Sequence, residues 1–188
     1  MTRDRDRPYH HGDLRPALLR AAVDAIAEVG PAGMSMREVA RRAGVSHTAA
    51  TYHFGDKAGL LTAVAVEGYR LLGDALAAAE QEHQSFLEVG VAYVRFAVTH
   101  RPHFDVMFQP ALHHADDAEL QAAKARTAAM LYGTAEVDDR RRAEGVAAWS
   151  LVHGLATLWL NGNLPPQLAG DPEATARVVA SHLRLPHR

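Results

Sequence analysis

The chain contains no cysteine, which excludes a disulfide framework, a thiolate metal site and a thiol nucleophile. No apolar run is long enough to span a bilayer. The charged start Met1-Thr2-Arg3-Asp4-Arg5-Asp6-Arg7 is followed by no hydrophobic segment of the kind a secretory signal needs. A cytoplasmic protein with no membrane partner is therefore expected. Strand-like alternation, internal repeats, a glycine-rich phosphate loop and a nucleophile elbow are also missing. Nor is there an excess of one charge. The net charge is −2, with nine Lys/Arg against seven Asp/Glu in residues 1–57 and eleven against fifteen in the remainder. Without a broad basic footprint, any contact with nucleic acid must rest on a few well-placed cations.

What the sequence does hold is helical periodicity. Of 188 residues 48% are hydrophobic, enough for one sizeable core or two small ones. The organising stretch runs from Ser35 to Phe54. Ser35 with Glu38 reads as a capping box, in which hydroxyl and carboxylate satisfy orphan amides at a helix start. Gly44 stands where that helix must stop in a left-handed conformation, and Ser46 caps a second helix. Val39, Ala40, Ala43, Val45, Ala50 and Phe54 supply the inward side. His47, Thr48, Thr51 and Tyr52 are left facing outward. Two readings fit: an ordinary helical hairpin with a solvated face, or a helix-turn-helix whose second helix lies in the major groove.

The rest of the chain reads as more helices, so the expected fold class is all-α. Residues 1–9 form a charged arm, either a free tail or one whose Arg3, Arg5 and Arg7 reach phosphates. Asp13 caps a first long helix with the stripe Leu14, Leu18, Ala21, Ala22, Ala25, Ile26 and Val29, stopped by Gly30-Pro31. Asp56 caps a helix running to about Ala79, and residues 81–84 are a polar break. Ser85 with Glu88 opens the apolar helix 86–99, ended by Arg101-Pro102. A short helix over 103–109, a loop over 110–117 and an alanine-rich helix over 119–132 follow. Asp138 or Asp139 starts the next helix, apolar on nearly every side, which predicts core on one flank and a second subunit on the other. Asp171-Pro172 opens the last helix, with Val178, Val179 and Leu183. The expected divisions are an arm at 1–9, a three-helix unit at 10–55, a connecting helix at 56–80 and a helical domain at 81–188.

Three segments carry a family resemblance: Val39-Ala40-x-x-Ala43-Gly44-Val45-Ser46, then Tyr52-His53-Phe54-x-x-Lys57, then Leu60-Leu61. Over residues 10–70 the chain resembles the DNA-binding domain of the tetracycline-repressor (TetR) family of bacterial regulators. It departs from the family at Thr51, where a tyrosine is usual. Trp149-Ser150-Leu151-Val152-His153-Gly154 also resembles the Trp–His–Gly signature of one C-terminal subclass. The resemblance implies a ligand-responsive repressor whose last two long helices pair with their copies in a homodimer on a palindromic duplex operator. In that setting His47, Thr48 and Thr51 face base edges and Ala49 is free to touch a thymine methyl. Ser35, Tyr52, His53 and Lys57 would hold phosphates.

Candidate chemistry beyond DNA is thinner. Tyr93, Phe96, Met107, Phe108, Trp149 and His153 can line a largely apolar small-molecule cavity, with His153 one helical turn after Trp149. Equally, His153 suits a core position with a buried partner. The histidines at 100, 103, 113 and 114 show no recognised metal spacing, and no metal or cofactor is expected. No catalytic residue is assigned. Two alternatives to the ligand-responsive regulator stand: a DNA-binding regulator without a small ligand, and a helical enzyme.

Overall fold

The computed structural model describes residues 14–134 and 136–182. The arm at 1–9, the cap expected at Asp13 and the apolar position Leu183 lie outside the described residues. Within them the fold is all-α, with nine helices: α1 (Leu14–Gly33), α2 (Met36–Arg42), α3 (His47–Phe54), α4 (Lys57–His83), α5 (Phe86–Thr99), α6 (Arg101–Met107), α7 (Ala118–Tyr132), α8 (Asp139–Leu160) and α9 (Pro172–Ala180).

Local chemistry explains most of the boundaries. Side-chain oxygens of Ser46, Asp56, Ser85, Asp138 and Asp171 accept amide hydrogens at the starts of α3, α4, α5, α8 and α9. Helix α1 breaks where expected, at Gly30 (φ 71°), and one further turn carries Pro31 to Gly33. Val29, placed in the apolar stripe, is instead 57% exposed, with its side chain beside Gly33 of that extra turn. Helix α4 is longer than expected. Its polar end continues through 81–83, and it stops at Gln84, which takes a left-handed conformation (φ 47°). Pro102 does not merely end α5; it sits in the first turn of α6, which begins at Arg101.

Helix α4 is the common element. It packs against α1 and α3 on one side of the chain order and against α5, α6 and α7 on the other. One continuous apolar cluster runs from Leu14 to Ala176, with Leu60, Leu61, Val64, Leu72 and Leu76 of α4 at its centre. Helix α6 packs on α1 as well as α4, so the C-terminal region touches the N-terminal helices directly. Helix α8 meets α5, α7 and α9 on one flank. Its other flank leaves Val146 and Leu158 at 40% and 44% exposed, and a side chain added at Gly154 would meet open space. The last helix, expected to be long, has nine residues, so α8 supplies most of that open apolar flank.

Candidate nucleic-acid interface and effector cavity

The pair α2–α3 is fixed from within. Val39, Ala40 and Ala50 are almost fully buried, and Phe54 closes the end of α3 against the core. Gly44, at φ 72°, makes the turn that a side chain would strain. Ser35 Oγ accepts the Glu38 amide at 3.3 Å, and Ser46 Oγ accepts the Ala49 amide at 3.1 Å. The reciprocal half of the expected capping box differs. The Glu38 carboxylate turns to Arg41 (2.7 and 2.8 Å) and Arg42 (2.8 Å), whose hydrogen bonds pull its carboxyl down to about 2. Arg42 also forks onto Glu28 of α1 at 2.8 and 2.6 Å, so one guanidinium staples α2 to α1.

The outward side of α3 is open. His47, Thr48, Thr51 and Tyr52 are exposed, Tyr52 to 87%. Thr51 donates its hydroxyl hydrogen to the His47 carbonyl at 3.0 Å, leaving its oxygen as an acceptor. The His53 ring is half-buried, edge-on to Tyr52 with centroids 5.6 Å apart. Ala49 is less free than expected, being partly buried against the core. Lys57 is neither loose nor simply solvated: its Nζ donates to the Ala32 carbonyl at 2.7 Å, tying the start of α4 to the end of α1. One residue escaped the sequence reading. Arg37 is exposed on α2 and carries no ion pair among the described residues. Its position two residues after the Ser35 cap was the available signal.

Asp56, the cap of α4, also faces the loop after α6. Its Oδ1 accepts the Gly59 amide at 2.7 Å and lies 3.0 Å from His114 Nε2. The Gly59 amide, then His114, hold this carboxyl below the usual range. The His114 amide donates to Thr62 Oγ1 at 2.9 Å, and His113 Nε2 meets the Val106 carbonyl at 2.8 Å. His114 therefore latches the loop onto the start of α4, while His113 holds it back on α6. No group of three or more metal-ligating side chains occurs among the described residues.

The six candidate effector residues divide. Tyr93 and Trp149 line a cavity of about 310 Å³ between α5, α7, α8 and α9. Behind its wall, Trp149 Nε1 donates to Tyr93 Oη at 3.2 Å, and that oxygen lies 2.8 Å from His153 Nδ1. Burial pushes the Tyr93 phenol well above the usual tyrosine range and the His153 imidazole below the usual histidine range. His153 thus has the buried partner of the simpler reading, and Phe104 and Phe108 pack on its ring at 5.3 and 4.7 Å. Phe96 stacks on His100 at 4.9 Å, and Met107 packs beside Gly68; neither lines the cavity. The walls that sequence reasoning missed include Phe86 and Val89 of α5, Met130 and Leu131 of α7, and Ala148 and Leu151 of α8.

A helix-turn-helix joined through one long helix to a helical body with a partly open cavity is the architecture of a transcriptional regulator of the helix-turn-helix class. Comparison with known proteins gives the family. Residues 18–64 match the family model for bacterial regulatory proteins of the tetR family, and residues 86–183 match the model for the tetracyclin repressor-like C-terminal domain. A Rhodococcus sp. RHA1 protein of unknown function is 30% identical, with a TM-score of 0.77 over 95% of this chain and 97% of that one. The TetR family transcriptional regulator PfmR from Thermus thermophilus shares the fold, with a TM-score of 0.66 at 21% identity over 88% of this chain and 96% of that one. The HTH-type transcriptional repressor Rv3405c of Mycobacterium tuberculosis is 42% identical over 60 residues. That similarity spans 32% of this chain and 32% of the length of the curated relatives it matches. The chain belongs to the tetR family of bacterial regulatory proteins, a family of regulators rather than enzymes.

Proposed function

We propose that the protein is a homodimeric DNA-binding regulator, a repressor released from a palindromic operator by a small molecule in its C-terminal cavity. The observation that carries this reading is the α3 surface. Ala50 and Phe54 anchor it inward while His47, Thr48, Thr51 and Tyr52 stand clear of the protein. In this reading His47, Thr48 and Thr51 meet base edges, and Ser35, Tyr52, His53 and Lys57 hold phosphates. Arg37 adds a free cation on the same motif. The open flank of α8, continued by Val178 of α9 at 52% exposed, pairs with its copy in a second subunit. Two recognition helices then lie roughly 34–36 Å apart, one turn of DNA. Contact between Trp149 and His153, centroids 5.7 Å apart, supports placement in the Trp–His–Gly subclass.

Release requires the effector to bind the two dimer spacings unequally. The cavity at α5, α7 and α8 favours an effector over a regulator without one, because α7 and α5 both pack on α4, which starts beside the recognition helix. Lys57→Ala tests the phosphate assignment. It should weaken binding to every duplex and lower the salt slope by about one unit, because one phosphate contact is lost. Mobility-shift titrations at several salt concentrations read both. Unchanged affinity and slope would leave Lys57 with only its bond to Ala32.

A further inference from the structure

We infer that the cavity between α5, α7, α8 and α9 takes an uncharged, predominantly apolar molecule; this rests on the effector reading given above. Its wall carries no Asp, Glu, Lys, Arg or His among the described residues. Phe86, Met130, Leu131, Ala148 and Leu151 present carbon to its interior. The three side-chain polar atoms that border it are already engaged with the protein. Trp149 Nε1 donates to Tyr93 Oη, Tyr93 Oη is paired with His153 Nδ1, and Ser181 Oγ donates to the Val178 carbonyl. The buried side-chain atoms without a partner among the described residues are His103 Nδ1 and His113 Nδ1, and neither residue lines this cavity.

An ion entering here would lose its hydration and meet no counter-charge, which strongly disfavours burial. A neutral apolar molecule instead replaces water at carbon surface and disturbs no existing hydrogen bond. The volume, about 310 Å³, lies at the lower end of small-molecule sites, roughly 300–1,000 Å³. Phe86 lies in the wall and is 47% exposed, so the cavity opens beside it at the start of α5.

Two dyes that share a skeleton test the charge rule on the full chain without DNA: N-phenyl-1-naphthylamine, which is neutral, and 1-anilinonaphthalene-8-sulfonate, its anionic relative. The neutral dye should bind one site per chain at least about tenfold more tightly than the sulfonate, since only the latter buries a charge. Excitation of Trp149 and Trp159, both on α8, should transfer energy to it. Ala148→Leu fills the cavity from α8 and Leu131→Trp fills it from α7; each should weaken the neutral dye by about tenfold or more while circular dichroism keeps its helical signal. Two fillings from different helices keep the test decisive should one variant fail to fold. Equal binding of the two dyes, or a neutral dye indifferent to both fillings, overturns the inference. Neutral-dye binding that obeys these rules but leaves DNA affinity unchanged supports it and overturns the effector role alone.

Discussion

Two glycines of α4 meet opposite surroundings, and the same substitution at each should move stability in opposite directions. Gly59 is the third residue of α4. A Cβ there would press into the backbone carbonyl oxygen of Phe54, the last residue of the recognition helix. That carbonyl is not free to swing, because it accepts the Asp56 amide at 2.9 Å in the turn between α3 and α4. Gly59→Ala gains at most about 1 kcal/mol of helix propensity. Against this, the displaced turn loses about 1 kcal/mol of hydrogen bonding, and the overpacked backbone costs a further 1–3 kcal/mol or so. The net loss is about 1–3 kcal/mol, a fall in Tm of roughly 3–10 °C for a chain of this size. DNA affinity should drop with it, because the end of α3 must move. Gly73 is the internal control. A Cβ there lies 3.6 Å from Thr127 Oγ1 and 3.8 Å from Arg126, which is ordinary contact, so Gly73→Ala should raise stability by about 0.5–1 kcal/mol. Thermal melts by circular dichroism and mobility shifts on the same preparations read both. A Gly59→Ala protein as stable as the parent, with unchanged DNA binding, would refute the packing argument at the α3–α4 junction.

Other predictions concern pH, the loop latch and assembly. His100, His113 and His153 are each held below the ordinary histidine value of 6.5 by burial, so the unfolded chain binds protons more readily. Their contribution is complete above that value and is lost as pH falls through it towards the folded-state values. Tm should therefore decline from about pH 7 to about pH 5, before Glu38, Asp56 and Glu67 begin to lose theirs below the ordinary carboxylate range. A flat or rising Tm over that interval would contradict the burial of the three rings. Thr62→Val removes the acceptor of the His114 amide and should cost about 1–2 kcal/mol. Hydrogen exchange at His114 should quicken; an unchanged exchange rate would mean that the latch is not held by Thr62. Leu158→Asp puts a charge on the open flank of α8 and should give a folded monomer by light scattering, while a persistent dimer would move the interface elsewhere.

Local signals made much of this legible before any coordinates. Ser46, Asp56, Ser85 and Asp171 cap helices because a side-chain oxygen two or three residues before an amide needs nothing distant to act. Gly44 and Gly30 break helices for equally local reasons. The outward set on α3 followed from Ala50 and Phe54 being apolar at i, i+4 spacing. What stayed hidden was contact over long separations. Lys57 finds Ala32 from 25 residues away, and His114 finds Asp56 from 58. Helix α7 reads only as an alanine-rich helix, and Met130 and Leu131 wall the cavity because α7 lies across α8. Phe96 and Met107 were plausible walls by residue type, but the turn of α5 and the packing of α6 on α4 send them into the core.

Whether α3 reads DNA from a paired protein is decided by letting the full chain select duplexes from a random-sequence library. The expected product is an inverted repeat whose half-sites are one helical turn apart, with Thr48→Ala changing the preferred base at one position in each half. Failure to enrich any duplex, or an enriched sequence indifferent to substitution at His47, Thr48 and Thr51, would contradict that role for α3.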